Sequence, residues 1–132
     1  MSKNNDLGLL ILRVAVGALM LLHGIAKLGG VAPIEGMLSG KGLPSFLAYG
    51  VYVTEIIAPL LILFGFRTRL ASAVYISGTL FAFFLVHTSQ LFSLNENGGW
   101  AIELLGLYFL GALALFFTGG GKLAVSTSNK WD

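Results

Sequence analysis

The 132-residue sequence contains no cysteine. That excludes disulfides, thiolate metal sites, ligation of an iron–sulfur cluster by this chain and thiol redox chemistry. Charge is also scarce. Only 11% of the residues are Asp, Glu, Lys or Arg, against roughly 25% in soluble domains. The net charge of +2 is too small, and the basic residues too dispersed, to imply a nucleic-acid partner. No flavin, haem or iron–sulfur motif is present, and no Ser/His/Asp spacing suits hydrolysis. Gly119-Gly120-Gly121-Lys122 looks like the end of a phosphate loop. It lacks a glycine at Walker spacing, a Ser or Thr after the lysine and a preceding strand. It is expected to terminate a helix.

What the chain has instead is apolar surface. It is 56% hydrophobic with 18 glycines, and its mean hydropathy is +0.86. The apolar runs are long enough to cross a bilayer. They predict one all-α domain, a bundle of four transmembrane helices over about 7–28, 44–66, 70–92 and 100–118. Asn5 or Asp6 is expected to cap the first helix and Thr68 the third, and Pro44 suits the first turn of the second. Residues 29–43 read as a loop in which Val31, Ile34, Met37 and Leu38 can form a short interfacial helix. Lys122–Asp132 reads as a polar tail. A cleavable signal peptide is not expected. The first run is too long, lacks a small-x-small site before Gly29 and precedes three more spans. Lys3, Arg67, Arg69, Lys122 and Lys130 fall on one side of the bundle, and Lys41 with Lys27 on the other. That asymmetry puts both termini in the cytoplasm of a multi-pass inner-membrane protein.

The first span is the element around which the polar groups gather. Arg13, Gly17, Met20, Gly24 and Lys27 share one helical stripe, with His23 beside it. Ionisable groups are costly in hydrocarbon and normally face a bundle interior or a wet cavity. Gly17 and Gly24 let a neighbouring helix approach closely. Counted at roughly 1.5 Å per residue, Arg13 and Glu55 lie at comparable depth, so an intramembrane ion pair between them is expected. His23, His87 and Glu103 fall in one layer nearer the other face, with Lys27 and Gln90 just above. Three helices thus place titratable groups where a polar pocket can hold a quinone head group, an anion or a relayed proton. No metal site is expected: there is no Glu-x-x-His pair and no His pair at i, i+4.

These residues resemble the DoxX family of small membrane proteins. The resemblance is carried by Leu12-Arg13, Gly17, His23-Gly24 and Lys27-Leu28 in the first span, and by Gly42-Leu43-Pro44. Glu55, then Gly65-Phe66-Arg67-Thr68-Arg69, then His87 and Gly98-Gly99-Trp100 continue it. The resemblance implies a four-helix inner-membrane protein linked to quinone oxidoreduction, the family being named for a subunit of a thiosulfate:quinone oxidoreductase. It also implies a soluble redox or detoxifying partner. It carries over Arg13 and Glu55 as an intramembrane pair, and His23, Lys27 and His87 with them. The tail departs from the family pattern, since Lys122 leads to Leu-Ala-Val-Ser rather than Ser-Leu-Asp.

The leading expectation is therefore a membrane subunit or partner of a quinone-linked oxidoreductase. It would carry no covalent cofactor, draw electrons from another protein and be inactive alone. Two other readings stay open: a transporter for a small anion or metabolite, acting as a homo-oligomer, and a non-catalytic assembly subunit of a larger membrane complex.

Overall fold

The computed structural model describes residues 3–132. It is all-helical, with no strand among the described residues; only an isolated bridge joins Leu94 and Trp100. Among the described residues five helices follow one another. These are α1 (Asn5–Ala26), α2 (Ala32–Gly40), α3 (Ser45–Phe64), α4 (Thr68–Gln90) and α5 (Glu103–Thr118). α1 with its following turn, α3 and α4 are long and apolar enough to cross a membrane, whereas α5 is shorter. The last span was expected from Trp100, but Gly98-Gly99-Trp100 belongs to a closed turn. The Asn95 side chain there accepts from the Asn97 and Gly99 N–H groups. α2 fills the expected loop, and Leu38 packs with Val31, Ala48 and Leu85.

The helix ends differ in detail from expectation. Asn4, rather than Asn5 or Asp6, caps α1 by accepting from the Leu7 N–H at 3.0 Å. Asp6 instead accepts the Lys122 N–H at 2.9 Å. Pro44 stands before the first turn of α3 in an extended conformation. Thr68 opens α4, but its hydroxyl is buried without a protein partner and Arg67 precedes it in the left-handed region. At Gly65 a φ of 76° ends α3 in a Schellman turn, the Phe66 N–H reaching back to Leu61 O at 2.9 Å.

Pro59 shapes α3 where it matters most. It has no N–H for the carbonyl of Glu55 four residues back, and its ring crowds that carbonyl. The helix widens at Val53–Ile57, and the Ala58 N–H bonds five residues back to Val53 O. The Glu55 carbonyl is thereby pressed towards α1 at Gly24, where a Cβ would collide with it. A Cβ at Gly17 would lie 2.8 Å from the Pro59 carbonyl oxygen. The stripe of α1 that carries these glycines is thus the seam against α3. The core beneath is shared by all four long helices: Val16 and Met20, Ala58 and Ile62, Ala71 and Tyr75, and Tyr108, Ala112 and Leu115. Large apolar side chains such as Ile11, Leu22, Phe84, Leu107 and Phe117 face outward, as lipid contact requires.

Arg13 corrects the expected ion pair. It is fully buried, yet no carboxylate pairs with it among the described residues. Its guanidinium donates to Ile62 O at 3.5 Å, Leu63 O at 3.4 Å and Leu123 O. Two of these carbonyls lie at the C-terminus of α3, where the helix dipole favours a cation, and Ile62 O also accepts the Gly65 N–H. The depth count missed this because Arg is long, and a helix end offers acceptors without a charge of its own. Its Nε, with Thr68 Oγ1 and Ser72 Oγ, is buried without a protein partner.

Lys122–Asp132 is no free tail. Val125 and Ser126 donate backbone N–H groups to Phe64 O and Gly65 O. Arg69 donates to Phe116 O and Lys130 O. Arg67 donates to Ser126 Oγ at 2.7 Å and Asp132 Oδ1 at 3.0 Å. Cover alone would raise the Asp132 pKa, but hydrogen bonds from Ser126, the Asn129 N–H and Arg67, with the Arg67 charge, outweigh it and hold the carboxyl at about 2. The depressed value means that the clasp is fully formed above the ordinary aspartate range and is lost only as the pH falls through about 2. A carbon-13 titration of this carboxyl should find its midpoint there; a midpoint near 3.8, its ordinary value, would mean that the clasp does not form.

Candidate functional site

The opposite end of the bundle holds a cavity of about 330 Å³. α1 contributes Met20 and His23, and the turn that follows it Lys27; α3 contributes Thr54 and Glu55. α4 contributes Tyr75, Thr79 and His87, and Leu105 and Tyr108 come from α5. Glu55 sits on the widened turn of α3, and His87 closes a second such turn at Phe83–His87. Widened turns re-aim side chains out of helical register, which is why they recur at functional sites.

Lys27 and Glu55 pair at 2.5 Å across the α1–α3 seam. Lys27 is a third exposed and Glu55 mostly covered, so the pair spans from the mouth inward. Tyr52 fixes this corner by donating to Lys27 O at 3.0 Å. Glu55 therefore has a basic partner just past the end of α1, about four turns along from Arg13. The Lys27 side chain, placed at the boundary by counting, bends back to reach it.

The other predicted residues divide. His23 lies edge-on to Tyr108 at 5.9 Å. His87 Nδ1 meets Gln90 Oε1 at 2.6 Å. An amide oxygen only accepts, so in this contact Nδ1 is the donor and Nε2 is left facing away from Gln90. Gln90 thus orients His87 without lining the cavity. Glu103 stands apart, exposed on the first turn of α5 against Gly99, where a carboxylate suits the helix N-terminus. Among the described residues no cluster of His, Asp or Glu could hold a metal.

Two tyrosines were missed by reading the sequence. Tyr75 donates to Val16 O at 3.0 Å, and its ring meets Tyr108 at 6.4 Å. Together with His23 they form an aromatic wall. The signal was available: a tyrosine inside an apolar helix needs a partner for its hydroxyl.

The walls are mostly apolar, with a few convergent polar groups, and the volume is at the low end for small-molecule sites. The one lysine is neutralised by the one carboxylate. Lys and Glu thus leave the chamber no net charge, so it suits a neutral, flat ligand with hydrogen-bonding edges better than an anion.

The family model DoxX matches residues 8–88. The chain is 32% identical over 125 residues to the Bacillus subtilis protein named "Putative oxidoreductase CatD", covering 95% of this chain and 89% of that one. It is 31% identical over 134 residues to the Escherichia coli "Inner membrane protein YqjF", covering 99% and 100%. No solved structure matches.

Proposed function

The chain belongs to the DoxX family, and from that premise we propose that it is the membrane subunit or partner of a quinone-linked oxidoreductase. It is a multi-pass protein of the inner membrane. In this reading α1, α3, α4 and α5 all cross the bilayer, both termini are cytoplasmic and the cavity lies towards the other face. The observation that carries the reading is the charge balance of the cavity: Lys27 and Glu55 cancel, leaving apolar and aromatic walls for an uncharged ring.

A quinone would supply two-electron redox chemistry when bound. The chain's own part is to hold and orient the ring and to exchange protons. His87, pinned through Nδ1 by Gln90, presents Nε2 as a proton acceptor; once protonated, that atom is a donor. The Lys27–Glu55 pair keeps the mouth polar. With no redox motif in the sequence, electrons come from the partner.

Neutrality gives the test. Lys27→Met or Glu55→Gln alone strands one charge at the cavity, so each should weaken binding of a water-soluble benzoquinone about tenfold, or about 1.4 kcal/mol. The double variant should recover most of that loss, because no charge is left unpaired. Titration of purified protein in nanodiscs measures all four. No quinone binding by the native chain would end this reading. Additive losses in the double variant would mean that each group contacts the ligand directly.

A further inference from the structure

A second void of about 180 Å³ lies beside the cavity, between α4 and α5. Leu80, Phe83, Trp100 and Phe109 bound it, and its walls are almost wholly apolar. Thr79, Ile102 and Leu105 line both voids, so the two adjoin. The cleft owes its shape to Gly106. The Trp100 ring lies against that bare Cα, where a Cβ would come within 2.5 Å of it. The indole N–H is anchored on Leu91 O at 2.7 Å. Trp100 is therefore held as a fixed wall.

Resting on the reading above, we propose that this cleft seats the isoprenoid tail of the quinone whose ring occupies the polar cavity. A ring with a chain is an amphipathic ligand. Its chain must leave the chamber without being buried against the Lys27–Glu55 pair. The α4–α5 side offers that exit, because the neighbouring void is apolar and adjoins the first through Thr79, Ile102 and Leu105. Phospholipid acyl chains are the competing occupants of any apolar cleft in a bilayer. They have no group for the polar chamber and gain nothing from its proximity. A chain leaving lipid for the cleft gains packing rather than relief from water, so its effect on affinity is modest.

Trp100 reports on the site directly. In a Trp131→Phe background it is the single tryptophan, since the sequence has two. The probes are a tail-free dimethoxy-methyl-benzoquinone and its decyl derivative, titrated into nanodiscs by quenching. The filled-cleft variant is Leu80→Phe with Leu91→Phe, two partly exposed positions on the rim. Comparing each ligand between native and filled chains cancels its partition into lipid. The expected result is about fivefold weaker binding of the decyl compound to the filled chain, with the tail-free compound unchanged. Equal binding of both compounds to both chains would overturn the tail site while leaving the quinone reading intact. Binding of neither to the native chain would overturn both. Quenching of Trp100 by brominated acyl chains that the decyl compound fails to displace would make the cleft a lipid groove and overturn the proposal.

Discussion

Arg13→Met is expected to destabilise the folded chain by about 3 kcal/mol and to free residues 122–132. The guanidinium is fully buried and tethers three carbonyls: Ile62 and Leu63 at the end of α3, and Leu123 in the C-terminal segment. Replacing a buried ion with an apolar side chain is often neutral when its partners can be replaced too. Here the partners are backbone carbonyls, which no substitution removes. Ile62 O retains the Gly65 N–H, so the loss falls chiefly on Leu63 O and Leu123 O, at roughly 1–3 kcal/mol for each buried orphan. Unfolding in mixed micelles should show the lowered midpoint. Trypsin should cleave after Lys122 at a concentration that spares the native chain. Arg13→Lys should recover only part of the loss, since one ammonium cannot span three acceptors in fixed fork geometry. An unchanged midpoint with an intact C-terminal segment would show that the segment is held without Arg13, by Arg67, Arg69 and its backbone bonds to Phe64 and Gly65.

Gly24→Leu is expected to abolish both the α1–α3 seam and the cavity. Even alanine at this position would place Cβ against the Glu55 carbonyl and 2.6 Å from Ile56. What must yield is backbone already widened by Pro59, so overpacking of about 1–3 kcal/mol for alanine, and more for leucine, follows. Because the obstructing carbonyl is that of Glu55 itself, the Lys27–Glu55 pair should part as the helices separate. Gly8 lies on the same helix with nothing within 4 Å, so Gly8→Ala should be harmless or stabilising by about 0.5–1 kcal/mol. Thermal unfolding of the two variants in one detergent makes the comparison. Equal midpoints would mean that the seam is loose enough to absorb a side chain.

The two glycines and the arginine mark what local sequence encodes. Their spacing placed them on one face of α1, and that face is the one that meets α3. Helical periodicity is a local property, so it survives in the sequence whatever the rest of the chain does. The partners of Arg13 and Glu55 were a different matter. Depth counting put the two at one level, yet Arg13 reached the carbonyl end of α3 and Glu55 reached Lys27. Residue counting carries an error of a few residues, and a long side chain covers a further turn. The miss here is larger than that: the Glu55 carbonyl stands opposite Gly24, about three helical turns along α1 from Arg13.

Composition and apolar run lengths by themselves determined that this is an all-helical membrane protein, because a bilayer leaves the backbone no other way to satisfy its polar groups in runs of that length. Only the tertiary structure decided that Arg13 is a structural clamp, that Lys27 neutralises Glu55, that Tyr75 and Tyr108 wall a chamber, and that the C-terminal segment is clasped. Those outcomes depend on which side chains arrive within about 3 Å of one another. That distance is set by the rotation and approach of packed helices, which no single stretch of sequence encodes.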